Sequence, residues 1–267
     1  MESLKLCIFS DIHYTNEEVN WKVKRKLVEY ADSLTDKMIY EINNKINPDI
    51  VVHLGDMIQA SKDIEIDKNN ILHILNKFKN IKVPYYTLIG NHELKSVDSN
   101  KEIINLIGYE NATFFKDVGE YHLVFLGTDI NEDDEKYRTQ YISLKDMELL
   151  EKDLEKNKNK KTIIFSHFGI AEDTNMKDNY WAYSEGGENL MLRNREKLKE
   201  IVKKANVIAV FCGHQHWTKT IIEDGIPYYM IGSLTENIND DGVPDGIYVI
   251  VEINGENITV QEKHLKI

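Results

Sequence analysis

LKLCIFSDIH, residues 4–13, holds the pattern that organises the whole chain. An apolar run, Leu4 to Phe9, stops abruptly at Ser10-Asp11, as a buried strand does when it delivers polar groups to a sheet edge. The event recurs. Asp49 to Leu54 runs into Gly55-Asp56, and Pro84 to Ile89 runs into Gly90-Asn91-His92-Glu93. Lys161 to Phe165 runs into Ser166-His167, and Val207 to Cys212 into Gly213-His214-Gln215-His216. Between these runs apolar residues recur at helical spacing. From Glu18 to Ile46 (Val19, Val23, Leu27, Tyr30, Ala31, Leu34, Met38, Ile42) they predict one long helix or two, ended by Asn47-Pro48. Further helices are expected over Ile64 to Phe78, Leu144 to Leu154 and Glu188 to Ala205, with another strand at Tyr121 to Leu126. This alternation predicts a layered α/β fold. The tail from Trp217, punctuated by Asp224-Gly225, Gly242 and Asn254-Gly255, predicts an antiparallel meander closing a second sheet.

Composition narrows the function classes. The 267 residues carry 33 Lys+Arg against 45 Asp+Glu, a formal charge of −12, which disfavours a nucleic-acid or anionic-membrane binder. At 42% hydrophobic with four prolines, the chain is globular rather than disordered or fibrous. Its longest fully apolar run, Val207 to Cys212, is far short of the roughly 20 residues that span a bilayer. Met1 to Ile8 has no signal-peptide architecture, so a cytoplasmic protein is expected. Cys7 and Cys212 lie in strand-like runs and read as buried free thiols. With no repeat and no low-complexity linker, residues 1–267 are expected to form one domain. Within it, 171–187 reads as a lid insertion, because Tyr180, Trp181 and Tyr183 place aromatic surface in a long loop without periodicity. Those three are the candidate substrate-binding residues.

The chemistry gathers at the strand ends. Loops beyond the carboxyl ends of strands converge on one crevice in open α/β sheets, so residues distant in sequence become neighbours there. Singly, each block is weak: Asp-x-His is usually a turn or cap, and Gly-Asp is common. Together they bring aspartates, an asparagine and histidines to successive strand ends, an arrangement that burial penalises unless an ion compensates it. A dinuclear metal site is expected. Mixed oxygen and nitrogen ligation without thiolate suits Mn, Fe, Co or Zn. His53, His73, His122 and His264 fall inside strand or helix patterns and read as structural, with His53 the candidate to support a ligand.

The ordered blocks Asp11-x-His13, Gly55-Asp56, Gly90-Asn91-His92-Glu93, His167 and Gly213-His214-x-His216 resemble the calcineurin-like metallophosphoesterase family. The resemblance implies an α/β fold (α+β by some schemes), a four-layer αββα sandwich of two mixed β-sheets flanked by helices. It implies two divalent or mixed-valence ions per chain (Mn, Fe, Zn or Co), one held by Asp11, His13 and His216, the other by Asn91, His167 and His214, with Asp56 bridging. It also implies hydrolysis of a small phosphodiester, pyrophosphate or phosphomonoester, nucleotide-like by preference, through in-line attack of a metal-bridging hydroxide. His92 is then the catalytic candidate as general acid, and Glu93 orients a neighbour. The G-D-x-x-D-R-G and R-G-N-H-E arginines of protein phosphatases are absent, since this chain reads Gly55-Asp56-Met57-Ile58-Gln59-Ala60-Ser61 and Ile89-Gly90. The expected partner is a small-molecule phosphoester, with no nucleic acid and no membrane, and the oligomeric state is left open. The alternatives are a non-catalytic metal-binding scaffold and a nuclease of the same superfamily.

Overall fold

The computed structural model describes residues 3–18, 25–61, 63–133, 136–171 and 191–266. The first sheet contains β1 (Leu4–Phe9), β2 (Ile50–His53), β3 (Tyr85–Thr87), β10 (Ile247–Asn254) and β11 (Asn257–His264), in the order β11-β10-β1-β2-β3. The second contains β4 (Phe114–Val118), β5 (Tyr121–Leu126), β6 (Lys161–Ser166), β7 (Val207–His216), β8 (Lys219–Glu223) and β9 (Ile226–Gly232), in the order β4-β5-β6-β7-β9-β8. Both sheets are mixed: β1, β2 and β3 run parallel, as do β5, β6, β7 and β9, with antiparallel strands at the margins. The helices are α1 (Ala31–Glu41), α2 (Ile64–Phe78), α3 (Asn91–Leu94), α4 (Asn100–Ile107), α5 (Leu144–Lys156) and α6 (Arg195–Lys203).

Strand alternation sorts the apolar residues into three interfaces, which is what makes the sandwich four layers deep. Leu4, Leu6 and Ile8 of β1 face the second sheet and pack with Leu123, Phe125, Phe165 and Phe211. Cys7 and Phe9, on the opposite face, pack with Leu34 and Met38 of α1 and with Ile71, Ile74 and Phe78 of α2. Val124, Leu126, Ile164, Val210 and Cys212 point outward from the second sheet onto α5 and α6 through Met147, Leu150, Leu198 and Val202. Both cysteines are buried and free, and burial pushes the Cys212 thiol up to about 12. No helix among the described residues is long and apolar enough to cross a membrane.

Three expectations need correction. The pattern from Glu18 does not make a helix at its described start: a 3-10 turn opens at Val28, and α1 gives way to a π-helical turn over Ile42–Ile46. Residues 25–27 instead run extended against 235–237, with Leu27 N–H donating to Thr235 O and Asn237 N–H to Arg25 O. The helix expected from Glu188 begins at Arg195, after Met191 has bridged to Gly169. The tail does not all join the second sheet. β8 and β9 do, but β10 inserts beside β1 and carries β11 with it, because its alternating apolar face completes the layer between the sheets.

Candidate metal centre

The strand ends converge because the two sheets meet at their carboxyl edges. Leu54 N–H donates to Phe9 O, Asp11 N–H to Gly55 O and His13 N–H to Asp56 O, tying the β1 and β2 exits together. Gly213 N–H donates to His167 O within the second sheet. His214 N–H then crosses between the sheets to Asp11 Oδ2 at 3.0 Å. The β7 ladder against β9 is irregular between Cys212 and His216, so the Gly213 to Gln215 stretch bends out of register.

Five polar residues at these exits have left-handed backbone: Asp11 (φ 56°), His13 (52°), Asp56 (55°), His214 (66°) and His216 (62°). Such conformations cost on the order of 1–3 kcal/mol each for non-glycine residues and persist where the surroundings enforce them. Here they re-aim side chains that strict alternation would send to opposite faces. Gly90 and Gly213 permit close approach, since a Cβ would lie 2.2 Å from Asp56 Oδ1 at the first and 2.1 Å from Ser10 Oγ at the second.

The result is two adjoining donor sets. In the first, His13 Nε2 lies 3.0 Å from His216 Nε2, and Asp11 Oδ1 lies 3.3 Å from His216 Nε2 and 3.7 Å from His13 Nε2. In the second, His167 Nε2 lies 3.1 Å from Asn91 Oδ1 and 3.4 Å from Asp56 Oδ1, with a His214 ring nitrogen within 4.8 Å of the His167 and Asp56 ligand atoms. Asp56 faces both, its Oδ2 being 3.8 Å from His13 Nε2. All seven residues are thus brought together, Asp11, His13, Asp56, Asn91, His167 and His216 buried and His214 half-buried.

These donors fit cations. Atoms about 2.1 Å from a shared ion stand about 3–3.5 Å apart, the spacing of the His13–His216, Asp11–His216, Asn91–His167 and Asp56–His167 pairs. His167 Nδ1 lies 2.9 Å from Leu54 O, and a carbonyl only accepts, so the neutral ring turns its Nε2 lone pair toward two oxygen acceptors. Only a positive charge reconciles that contact. Asp11 Oδ1 and His13 Nδ1 are buried without a hydrogen-bond partner among the described residues. Burial alone would raise both carboxyls, but His216 and His167 hold Asp11 below its ordinary range, and His167, His92 and His13 do the same for Asp56. Burial would depress His167, yet Asp56, Asp11 and Glu93 raise it to about 9. His216 is likewise raised against its burial by Asp11 and Glu236. Each donor set therefore attracts a proton where a metal would supply charge.

Several supporting residues lack a sequence signature. Glu236 is fully buried; its Oε2 accepts from His216 Nδ1 at 2.6 Å, which fixes the tautomer and leaves the His216 Nε2 lone pair facing the first set. Arg25 Nε donates to the other Glu236 oxygen at 3.1 Å. Glu93 accepts from the backbone N–H groups of Gly90, Asp56 and Ile58, which matches its expected orienting role, and burial with the Asp56 charge pushes its pKa up to about 7. His53 supports no ligand by hydrogen bond: it meets Thr87 Oγ1 at 2.8 Å, packs on Phe9 and Phe78, and is held neutral by burial. His73, His122 and His264 pair with carboxylates away from the centre.

His92 adjoins the first set, its ring 4.6 Å from that of His13 and one of its nitrogens within 4.8 Å of ligand atoms on His13 and Asp56. Ala60 N–H donates to His92 Nδ1 at 3.1 Å, leaving the hydrogen of the neutral ring on Nε2. Burial, then Lys95 and Lys26, drive its pKa well below the ordinary histidine range. Lys26 is itself lowered to about 8 by burial and by Lys95. Tyr180, Trp181 and Tyr183, with most of the expected lid, lie outside the described residues.

Known proteins share this architecture. A curated relative, the probable cyclic nucleotide phosphodiesterase of Xenorhabdus bovienii, is 24% identical over 219 residues, 80% of this chain and 78% of the relative. Among solved structures, a dimetal phosphatase from Danio rerio superposes with a TM-score of 0.73 at 13% identity, covering 98% of this chain and 96% of that one. GAP50, the anchor in the inner membrane complex of Plasmodium, superposes at 0.59 with 14% identity, covering 98% and 84%. The profile of the calcineurin-like phosphoesterases matches residues 4–218, most of the chain and every strand-end block described above, and the protein belongs to that family of phosphoester hydrolases.

Proposed function

We propose that this hydrolase cleaves a small, nucleotide-like phosphoester at a dinuclear centre in which Asp11, His13 and His216 hold one ion, Asn91, His167 and His214 hold the other, and Asp56 bridges them. The observation that carries the reading is the double facing of Asp56, with one oxygen toward His13 and the other toward His167. When bound, such a pair of ions lowers the pKa of a shared water, neutralises phosphoryl oxygens and aligns an in-line attack, with Mn, Fe, Zn and Co all suited to the donors. The protein's part is orientation. Glu236 and Leu54 O hold the hydrogens of His216 and His167 on Nδ1, so both Nε2 lone pairs stay available. Glu93 locks the Asp56 and Gly90 turns by three backbone hydrogen bonds.

His92 is the residue we assign to the departing oxygen, as it stands beside His13 while completing neither ligand set; to protonate that oxygen it acts as imidazolium, a form that a phosphoryl anion bound beside it would favour over the neutral ring of the free site. The nucleotide preference draws support from the Xenorhabdus relative's name and from Tyr180, Trp181 and Tyr183, whose faces would stack a base. The net charge of −12 weighs against a nuclease, and an intact ligand set weighs against a scaffold. The role of His92 is tested with a series of esters of rising leaving-group pKa. His92→Asn should retain both metals and lose about 10²–10⁴-fold on basic alkoxide leaving groups, with much less loss on nitrophenolate. A uniform loss across the series, or loss of metal, would make His92 a supporting residue instead.

A further inference from the structure

The two ligand sets are braced by different parts of the chain. In the second, the brace is main chain: His167 Nδ1 lies 2.9 Å from Leu54 O, at the end of β2, and Leu54 N–H is itself bonded to Phe9 O of β1. In the first, the brace is made of side chains from the turn that follows β9. Ser233 Oγ donates to Asp11 O at 2.8 Å and accepts from the N–H groups of Thr235 at 3.0 Å and Glu236 at 3.2 Å. Glu236 Oε2 accepts from His216 Nδ1 at 2.6 Å. Asp11 and His216 thus both lean on residues 233–236.

That turn is fastened from outside by the extended residues 25–27. Leu27 N–H donates to Thr235 O at 2.8 Å, Asn237 N–H donates to Arg25 O at 2.7 Å, and Lys26 pairs with Glu236 in an antiparallel bridge. One side chain of this strap reaches the Glu236 carboxylate directly: Arg25 Nε donates to Oε1 at 3.1 Å, while its Nη1 donates to Ile238 O at 3.4 Å. Glu236 is fully buried, so a guanidinium on one oxygen and an imidazole on the other compensate it from two sides. Lys26 adds a through-space attraction to the same carboxylate, whereas the Arg25 bond is directional and fixes how the carboxylate is turned toward His216. On the ligand sets proposed above, we infer that Arg25 is a positioning residue for the first ion alone, acting through Glu236 on the His216 Nε2 lone pair. The affinity of one site then depends on the docked strap, and the affinity of the other on the sheet frame.

The test uses the full chain as wild type, Arg25→Gln, Arg25→Lys, Glu236→Gln and the Arg25→Gln/Glu236→Gln double variant, each titrated with Mn against a competing chelator. Arg25→Gln should weaken one of the two equivalents about tenfold and leave the other unchanged. Arg25→Lys, which keeps the charge without the planar fork, should fall between wild type and Arg25→Gln. In the double variant Arg25→Gln should add little, because the group through which it acts is gone. His13→Ala assigns the site: the single equivalent that this variant retains should not respond to Arg25→Gln. In metal-free protein labelled with nitrogen-15 at histidine, the His216 Nδ1 resonance should shift in Arg25→Gln, a readout that requires no ion. Equal weakening of both equivalents, fully additive losses in the double variant, or an unshifted His216 resonance would overturn the role of Arg25. Wild-type protein that takes up fewer than two equivalents would overturn the dinuclear reading, and the His216 resonance would still decide whether Arg25 positions that ring.

Discussion

Phe114, Phe125, Phe165, Phe211 and Tyr229 form one rung across five strands of the second sheet, each directly paired with the next and stacked within 10–20° of parallel. At the carboxyl ends of two of those strands, His167, His214 and His216 meet Asp11, Asp56 and Asn91 from the first sheet. The first region satisfies itself: apolar rings in ordinary strand geometry bury one another and call for nothing further. The second is the reverse, with lone pairs facing lone pairs, carboxylates held ionised in the interior and left-handed backbone at five positions. The strain of the rim persists because the interior fixes the strands from which it projects. The rim itself is completed by ligands that the chain does not encode.

That contrast predicts that stability and chemistry separate by region. The largest effect should come from Asp56→Asn, which removes the shared carboxylate: turnover should fall roughly 10³-fold, about 4 kcal/mol of transition-state stabilisation, with circular dichroism unchanged. A variant that unfolds instead would place Asp56 in the structural region. Phe165→Ala should do the opposite, costing about 3–5 kcal/mol in urea unfolding while metal stoichiometry at low temperature is kept. Metal loss at full folding would break the division. A smaller effect is expected of Glu236→Gln, which keeps the shape but weakens the acceptor for His216 Nδ1; metal affinity by competitive chelator titration should drop about 10–100-fold. An unchanged affinity would mean that packing alone aims His216.

The smallest effect is in pH dependence. In metal-free protein His167 is raised from 6.5 to about 9, so the stability it contributes is present below 6.5 and lost as pH rises through 9. Glu93, raised from 4.5 to about 7, adds a decline of the same sign in the lower window. The melting temperature of chelator-treated protein should therefore fall between pH 6.5 and about 8, above which Lys26, lowered to about 8, adds a rise of opposite sign, and saturating Mn should flatten the fall because the ion displaces the proton. A rising or flat profile in that window without metal would contradict the electrostatics described for the second set.

The two regions also differed in how much of them the sequence reveals. The periods of Leu4–Phe9, Ile64–Phe78 and Tyr121–Leu126 predict their elements residue for residue, since each is decided by which neighbours are apolar. The rim blocks are legible for another reason: five strand exits in order repeat the same residue types. What escapes is everything set by a partner far along the chain. Val19, Val23 and Leu27 have helical spacing, yet Leu27 bonds to Thr235 and Lys26 bridges to Glu236, and no local period reports a neighbour two hundred residues away. Glu236, Arg25, Lys26 and Lys95 are single charged residues without a motif, and only the fold reveals what they face. β10 reads as a strand from its alternation, but alternation does not say whether its neighbour is β9 or β1.

The central claim, that two cations complete the rim and Asp56 joins them, is tested most directly by counting metal. The full chain is stripped with chelator, titrated with Mn by calorimetry, and assayed for bound metal after desalting. The account predicts two equivalents per chain for the wild type and the loss of both in Asp56→Asn. A single equivalent in the wild type, or two retained without the Asp56 carboxylate, would contradict it.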